Sequence, residues 1–309
     1  MHGADSSYTD GTHEDRPRED RPREDRPHED VDSDVFRDTI AEMTWQEVER
    51  AADDGAVLLW AFGVIEQHGP HLPAGTDVYL PSAQLRGVRR ELARRGVPAL
   101  IMPPYYWGVN VVSGSFPASY NVRPEVMKAL MADVLTGVLK DGFRHVFCFS
   151  GHGDALNNRT VHEGIRLGSQ LTGLDISFVI DHRLAERLGL DPDDPHVSPT
   201  GAALPKSDTS ATPAHIDVHA GDWETSQMLA AQPSLVRNDV RAGLRSTEYG
   251  PEDLAVWRKG YGHARVKTPL GYFGDPAAAD AANGRRLLEQ QVTNAADAIQ
   301  VRLRLMGRA

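Results

Sequence analysis

The sequence predicts an α/β fold in which a mostly parallel sheet is covered by helices on both faces. Apolar runs with the length of buried parallel strands lie at 57–62, 99–102, 145–149 and 176–180. Segments with helical periodicity follow the first three of these runs, at about 79–95, 124–140 and 156–173. Such β–α alternation is typical of a parallel sheet with right-handed crossovers.

Residues 1–33 are predicted to form a disordered tail ahead of one folded domain, residues 34–309. The tail repeats the pattern Glu-Asp-Arg-Pro-Arg, with a proline at every fifth position of the repeat. This spacing is incompatible with a helix, and the segment has no apolar surface to bury. Docking of the tail to a partner is the alternative, but nothing in the sequence argues for it.

Charge and composition exclude several classes of protein. Residues 1–34 contain twelve acidic side chains against five arginines, so most of the net charge of −11 lies in the tail. Neither part has the basic excess of a nucleic-acid-binding protein. The chain has no apolar run of about 18 residues and no apolar signal-peptide core at its N-terminus. With Cys148 as the single cysteine, we expect a cytoplasmic protein that binds neither nucleic acid nor membrane.

The remaining elements follow from caps and turns. Thr44 and Glu47 predict a capping box at the start of the first helix. Residues 105–122 form a long loop rich in aromatic and small residues, and loops of this length are usually functional. Pro124 opens the next helix, since proline is favoured at the first helical position.

The second half of the chain is less clearly patterned. Residues 190–214 are predicted to be a loop or insertion, and residues 233–267 remain unassigned. A short helix is expected to end at about Ala231, and a long amphipathic helix at about 277–305 closes the chain.

The loop after the first strand has the composition of a metal site. It reads Glu66-Gln67-His68-Gly69-Pro70-His71-Leu72-Pro73 and continues to Asp77. Glu66, His68 and Asp77 offer the oxygen and nitrogen donors that suit zinc, manganese or iron. The glycines and prolines would bend the loop and bring Asp77 back toward Glu66. Taken alone, such a loop is also typical of a solvated turn.

The third strand ends in a similar motif, Ser150-Gly151-His152-Gly153-Asp154. His152 and Asp154 can converge if the glycines form a turn. Ligands bind outside the carboxyl ends of strands in open α/β sheets, so both loops can contribute to one site. A dinucleotide-binding sheet is disfavoured, because no G-x-G-x-x-G loop follows the first strand.

These motifs resemble the creatininase (creatinine amidohydrolase) family, from about Thr44 to the C-terminal helix. The resemblance is also carried by the segments His219-Ala220-Gly221-Asp222-Trp223-Glu224-Thr225-Ser226 and Gly274-Asp275-Pro276. It implies a three-layer α/β/α sandwich and a dinuclear metal centre, with Zn²⁺ paired with Mn²⁺ or Fe²⁺. It further implies hydrolysis of a C–N bond other than an ordinary peptide bond, in a small cyclic or linear amide, by a homo-oligomer that is often a hexamer.

The resemblance also implies the metal ligands. Asp77 would bridge the two metals, which together hold a hydroxide nucleophile. Glu66 and His152 would complete one metal, and His68 would bind the other. Asp154 would be the second ligand of the His68 metal, although its side chain is one methylene shorter than the glutamate of creatinine-cleaving members.

Two further residues have roles implied by the resemblance. His219 would shuttle a proton to the leaving nitrogen, a role that suits imidazole because it titrates near neutral pH. A histidine bonded to a backbone carbonyl at a helix start is the alternative for His219. Glu224 is both the reserve metal ligand and the next candidate for the proton transfer, whereas His71 is expected to be structural.

The substrate is expected to differ from creatinine. The segment Ser113–Tyr120 lacks the histidine and the Gly-Thr pair usual in the family, and Gly153 replaces a tyrosine. Aromatic residues are expected to shape the pocket: Trp107, Phe116, Tyr120 and Trp223. Open alternatives are formamide deformylation, cleavage of a modified peptide, hydrolysis of a cyclic ketone and a catalytically silent metal-binding protein.

Overall fold

The computed structural model of the chain describes residues 35–191, 193–201 and 216–307. The predicted tail lies outside the described residues, and so do residues 192 and 202–214 of the predicted insertion at 190–214. The α/β class is confirmed: a parallel sheet of five strands is flanked by helices. The strands are β1 (Val57–Phe62), β2 (Ala99–Ile101), β3 (His145–Ser150), β4 (Asp175–Asp181) and β5 (Val197–Thr200).

The strands are all parallel, in the order β2-β1-β3-β4-β5. The first four match the predicted strands. The prediction of a loop for residues 190–214 is wrong at β5, which pairs with β4 at the edge of the sheet. Pro199 makes this strand hard to recognise from the sequence. Proline is tolerated on an edge strand, because its missing backbone N–H is not needed for pairing with a second neighbouring strand.

Ten α-helices are found in the described part of the chain. They are α1 (Trp45–Asp53), α2 (Thr76–Arg94), α3 (Pro124–Lys140), α4 (Ala155–Thr172), α5 (His182–Leu188), α6 (Asp222–Ala231), α7 (Asn238–Arg241), α8 (Pro251–Trp257), α9 (Tyr261–Lys267) and α10 (Ala281–Leu305). The capping box of Thr44 and Glu47 is present at α1. The unassigned stretch 233–267 contains α7, α8 and α9. None of the described helices is long and apolar enough to cross a membrane.

The core has two layers, one on each face of the sheet. Along β1, Leu58, Trp60 and Phe62 belong to one buried cluster, and the alternate residues belong to another. The first cluster includes side chains of α3 and α4, and the second includes side chains of α2 and α10. Both faces of every central strand are therefore buried, as in other doubly covered parallel sheets. This arrangement is the predicted three-layer α/β/α sandwich.

The start of α2 lies against the carboxyl ends of β1 and β3. A Cβ atom on Gly63 or on Gly151 would collide with the carbonyl oxygen of Asp77, so this close approach requires glycine at both positions. Helix α2 begins at Thr76, three residues before the predicted start at Tyr79. Asp77 therefore lies in the first turn of the helix, where the helix dipole favours a carboxylate.

Candidate metal centre

Six imidazole and carboxylate side chains converge at the carboxyl ends of β1 and β3. They form three overlapping groups whose potential ligand atoms lie within 4.8 Å of one another. The groups are Glu66–His68–His219, Glu66–Asp77–His152 and His68–Asp77–Glu224. The loop that carries Glu66 is closed by a hydrogen bond from the Glu66 amide to the Ala74 carbonyl (3.0 Å). The bend predicted between Glu66 and Asp77 is present.

Asp77 faces a different group with each carboxylate oxygen. Its Oδ1 lies 3.2 Å from His68 Nε2, and its Oδ2 lies 2.9 Å from His152 Nδ1. On the Oδ2 side, Glu66 Oε1 lies 3.1 Å from the same His152 nitrogen. On the Oδ1 side, Glu224 Oε2 lies 3.6 Å from His68 Nε2. Asp77 thus has the geometry of a carboxylate shared between two ligand groups.

Several of these atoms are buried without a hydrogen bond. Among the described residues, His152 Nε2 has no hydrogen-bond partner, and His68 Nε2 and Asp77 Oδ2 make no hydrogen bond of good angular geometry despite their short contacts with Asp77 Oδ1 and His152 Nδ1. His68 Nδ1 lies 3.0 Å from the Glu66 backbone carbonyl oxygen, and donation to that oxygen makes Nε2 the ring nitrogen that can offer its lone pair to a cation in the neutral ring. Buried polar atoms are rarely left unpaired, and histidine ligands commonly donate their other ring N–H in this way.

The carboxylates of the cluster favour positive charge on the neighbouring histidines. Burial disfavours the charged form of His68, but Asp77, Glu224 and Glu66 outweigh this effect and raise its pKa to about 10. Burial also opposes protonation of His152, yet Glu66 and Asp77 hold its pKa well above the usual value. Buried carboxylates need compensating positive charge, which protons or divalent ions can supply. The donor set of imidazole nitrogens and carboxylate oxygens is of the kind that binds zinc, manganese or iron.

Asp154 is not part of the cluster. Its Oδ1 accepts hydrogen bonds from the amides of Leu156 (2.7 Å) and Asn157 (3.2 Å), which makes it the N-cap of α4. Its Oδ2 accepts from the amide of Val111 (3.1 Å) in the long loop. Both oxygens therefore accept amide hydrogen bonds, and Glu224, the reserve ligand, lies in the cluster where Asp154 was expected. An aspartate directly before a helix is a common N-cap, so the sequence did contain this signal.

A pair of variants tests which of the two carboxylates, Asp154 or Glu224, binds a metal ion. We expect Asp154→Ala to retain both metal ions and to lose about 0.5–2 kcal/mol of unfolding free energy, the usual cost of removing an N-cap. Glu224→Gln is expected to lose one ion, because the amide oxygen is a weaker ligand than the carboxylate. Elemental analysis and chemical denaturation of both purified variants measure these effects. Loss of an ion from Asp154→Ala alone would restore Asp154 as a ligand.

His219 lies beside the cluster with one ring nitrogen facing it. Its Nε2 lies 2.9 Å from the Gln67 backbone carbonyl oxygen, to which it donates in one tautomer, and 3.1 Å from the Gln67 side-chain nitrogen, from which it accepts in the other. Its Nδ1 lies 3.7 Å from Glu66 Oε1. Burial and the neighbouring His68 lower the pKa of His219 to about 4, so its ring is neutral. The backbone bond considered as the alternative is thus present, and it directs Nδ1 toward the cluster.

Glu224 reaches the cluster from the first turn of α6. Its Oε2 accepts a hydrogen bond from the Ala220 amide (2.6 Å), and burial raises the pKa of its carboxyl to about 7. His71, expected to be structural, lies outside the ligand groups of the described residues. Its Nε2 is 2.9 Å from the hydroxyl of Thr225, which ties the Glu66 loop to α6.

The predicted pocket residues do not form one enclosed wall. The rings of Trp107 and Tyr120 pack edge to face at 6.0 Å, and the two side chains are 46% and 54% exposed. Phe116 instead lies under the guanidinium of Arg265, at 5.6 Å. Trp223 is exposed on α6, next to Glu224. Gly153 is exposed, and nothing would lie within 4 Å of a Cβ added to it.

A separate shallow cavity of about 750 Å³ lies on α8 and α9. It is lined by Tyr249, Val256, Tyr261, Gly262, His263, Val266 and Lys267. None of the predicted site residues lines it, so this cavity is distinct from the metal cluster.

Two residues near the cluster were not predicted to act there. The Trp257 ring packs 5.6 Å from the His219 ring, and the Ser113 hydroxyl donates to Glu66 Oε2. Trp257 lies in the stretch that no sequence pattern assigned, so nothing indicated it. Ser113 belongs to the segment that departs from the family pattern, and that departure was the available signal.

Known proteins resemble this chain over most of its length. Residues 41–299 match the model of the Creatininase family, described as creatinine amidohydrolase. Creatinine amidohydrolase of Pseudomonas putida is 28% identical over 279 residues, covering 84% of this chain and 95% of that protein. The mycofactocin precursor peptide peptidase of Mycolicibacterium smegmatis is 27% identical over 248 residues, covering 79% and 84%.

Solved creatininase structures share the fold. The structure named "Creatininase Mn" has a TM-score of 0.62 at 25% identity and covers 85% of this chain and 97% of that chain. A creatininase mutant of the Zn–Zn type has a TM-score of 0.63 at 26% identity, with coverage of 85% and 96%.

Proposed function

The chain belongs to the creatininase family, and from this we propose that it is a dinuclear metal-dependent amidohydrolase. It hydrolyses a C–N bond in a small cyclic or linear amide other than creatinine. The observation that carries the proposal is the shared Asp77, whose two oxygens face two different ligand groups at 3.2 and 2.9 Å. A binding protein has no need of such a bridging carboxylate, which argues against a catalytically silent member.

The cluster offers ligands for two divalent ions, with Zn²⁺ and either Mn²⁺ or Fe²⁺ as the proposed pair. Glu66, Asp77 and His152 would hold one ion, and His68, Asp77 and Glu224 would hold the other. Bound divalent ions supply Lewis acidity, which polarises a carbonyl group and lowers the pKa of water toward neutrality.

The protein itself supplies the proton transfer. The neutral ring of His219 presents Nδ1 to the cluster, 3.7 Å from Glu66 Oε1. Nδ1 accepts a proton from the attacking water and delivers it to the leaving nitrogen, which cannot depart as an anion. The Gln67 carbonyl keeps the ring in this orientation by accepting from Nε2 at 2.9 Å.

Cleavage of a modified peptide is the second candidate. It is favoured by the similarity to mycofactocin precursor peptide peptidases. The peptidase of Mycolicibacterium smegmatis is 27% identical to this chain. The open space at Gly153 and the exposed rings of Trp107 and Tyr120 leave room for a substrate longer than a single ring. We also propose that the chain forms a homo-oligomer, up to the hexamer that the resemblance implies. Light scattering of the purified protein measures the size of the assembly.

The test combines metal analysis with a panel of amides. We expect about two divalent ions per chain, and turnover of a cyclic or linear amide but not of creatinine. The panel should contain creatinine, hydantoins, formamides, a cyclic ketone and short peptides with and without modification. Peptide cleavage alone would favour the second candidate. A full complement of metal with no turnover of any amide would favour the silent protein instead.

A further inference from the structure

We propose that Ser113 is a positioning residue that holds the Glu66 carboxylate in the orientation required for metal binding. This inference rests on the proposed function of the cluster. The Ser113 hydroxyl donates a hydrogen bond to Glu66 Oε2, and both residues are only 2% exposed. A hydrogen bond to a charged carboxylate is stronger than one between neutral groups, particularly where water is excluded.

The two oxygens of Glu66 have separate environments. Oε1 faces the cluster, 3.1 Å from His152 Nδ1 and 3.7 Å from His219 Nδ1. Oε2 is directed to Ser113. Without that bond the carboxylate would be free to rotate. Metal binding would then have to fix one of its several orientations, which lowers the affinity. Ser113 therefore presents Oε1 as a single fixed ligand atom.

Ser113 is itself held in place by its own loop. The Asn110 side-chain oxygen accepts from the Ser113 amide at 3.3 Å, and the Ser119 hydroxyl lies 3.1 Å from the Ser113 hydroxyl. The Ser119 hydroxyl accepts in turn from the Gln67 amide at 3.0 Å. Asn110 Oδ1, which can only accept, lies 3.0 Å from the same hydroxyl and competes for its proton. A hydroxyl has one proton, and the shorter contact assigns that proton to Glu66, so Ser119 has to be the donor in its contact with Ser113. The loop is thus joined to two adjacent residues, through the side chain of Glu66 and the backbone amide of Gln67.

A second serine in this loop provides a matched control. The Ser115 hydroxyl donates to the Tyr261 carbonyl (2.8 Å), and Arg265 donates to the Ser115 carbonyl (2.8 Å). Ser115 therefore joins the loop to α9 through hydrogen bonds, and the described structure gives it no hydrogen bond to the ligand groups. Removal of its hydroxyl tests whether any loosening of the loop is sufficient to change metal binding.

The experiment measures Zn²⁺ and Mn²⁺ affinity of the full chain by competition with a chromophoric chelator. Ser113→Ala is expected to weaken one of the two ions by about 10–100-fold, the usual effect of removing a group that orients a ligand. The other ion should bind as in the wild type. Ser113→Thr retains the hydroxyl and is expected to restore the affinity, and Ser115→Ala is expected to bind both ions normally.

Other outcomes overturn the inference. Unchanged affinity in Ser113→Ala, even with a lower melting temperature, would assign Ser113 to packing alone, and equal weakening of both ions would indicate general loosening. If Ser113→Ala does not fold, the isosteric pair Ser113→Thr and Ser113→Val isolates the hydroxyl in the same way. Glu66→Gln separates the two proposals. If that variant keeps both ions, the proposed metal site is wrong. If it loses one while Ser113→Ala binds normally, only the role of Ser113 is wrong.

Discussion

Asp77→Ala is expected to abolish binding of both metal ions. Every other proposed ligand serves one ion, whereas the Asp77 oxygens face His68 on one side and His152 on the other. Removal of this carboxylate leaves each ion with fewer ligands and removes the charge that the two ions share. Elemental analysis of the purified variant, beside wild type prepared in the same way, measures the effect.

Two comparisons make the Asp77 prediction specific. Asp77→Asn keeps the shape of the side chain but not its charge, and it should also lose metal if shared charge is the decisive property. Asp154→Ala removes another buried carboxylate at the same edge of the sheet and should retain both ions, because its oxygens bind amides. Retention of one ion by Asp77→Ala would make Asp77 an ordinary ligand, and retention of both would remove it from the centre.

His219→Asn is expected to keep the fold and both ions while lowering turnover by roughly 10²–10⁴, the usual contribution of general acid–base catalysis. The amide of asparagine can still form hydrogen bonds within the site. It cannot accept and release a proton at neutral pH, as imidazole can. The effect on substrate affinity should be smaller, because the metal ions still bind the carbonyl group. Steady-state kinetics on the substrate identified by the amide panel measure turnover and apparent substrate affinity, and elemental analysis measures the metal content.

Two results would contradict the role of His219. Unchanged turnover with weaker binding would make it a substrate contact and pass the proton transfer to Glu224, whose carboxyl has a pKa raised to about 7 by burial. Loss of an ion would make it a ligand, which the group of Glu66, His68 and His219 would permit. The kinetic and metal measurements distinguish these cases.

Much of the fold could be predicted because it depends on neighbours in the sequence. The apolar run at 57–62 became β1, Pro124 became the first residue of α3, and the capping box of Thr44 formed as expected. Each signal acts over a few residues, through backbone hydrogen bonds or steric limits on the chain. The edge strand β5 lacked such a signal, because its four residues include Pro199 and form no apolar run.

The candidate site divides in the same way. The sequence by itself determined that Glu66, His68, Asp77 and His152 follow strands of one sheet, and parallel strands bring such loops together at one edge. Tertiary structure decided which carboxylate completes the cluster. Asp154 is near His152 in sequence, but the amides of Leu156 and Val111 occupy its oxygens, whereas Glu224 arrives from a distant helix. The departure from the family pattern marked the segment of Ser113, but only the packing brings Ser113 into contact with Glu66. A carboxylate can bind a metal, cap a helix or accept from a hydroxyl, and only the packing of remote segments determines which partner is within reach.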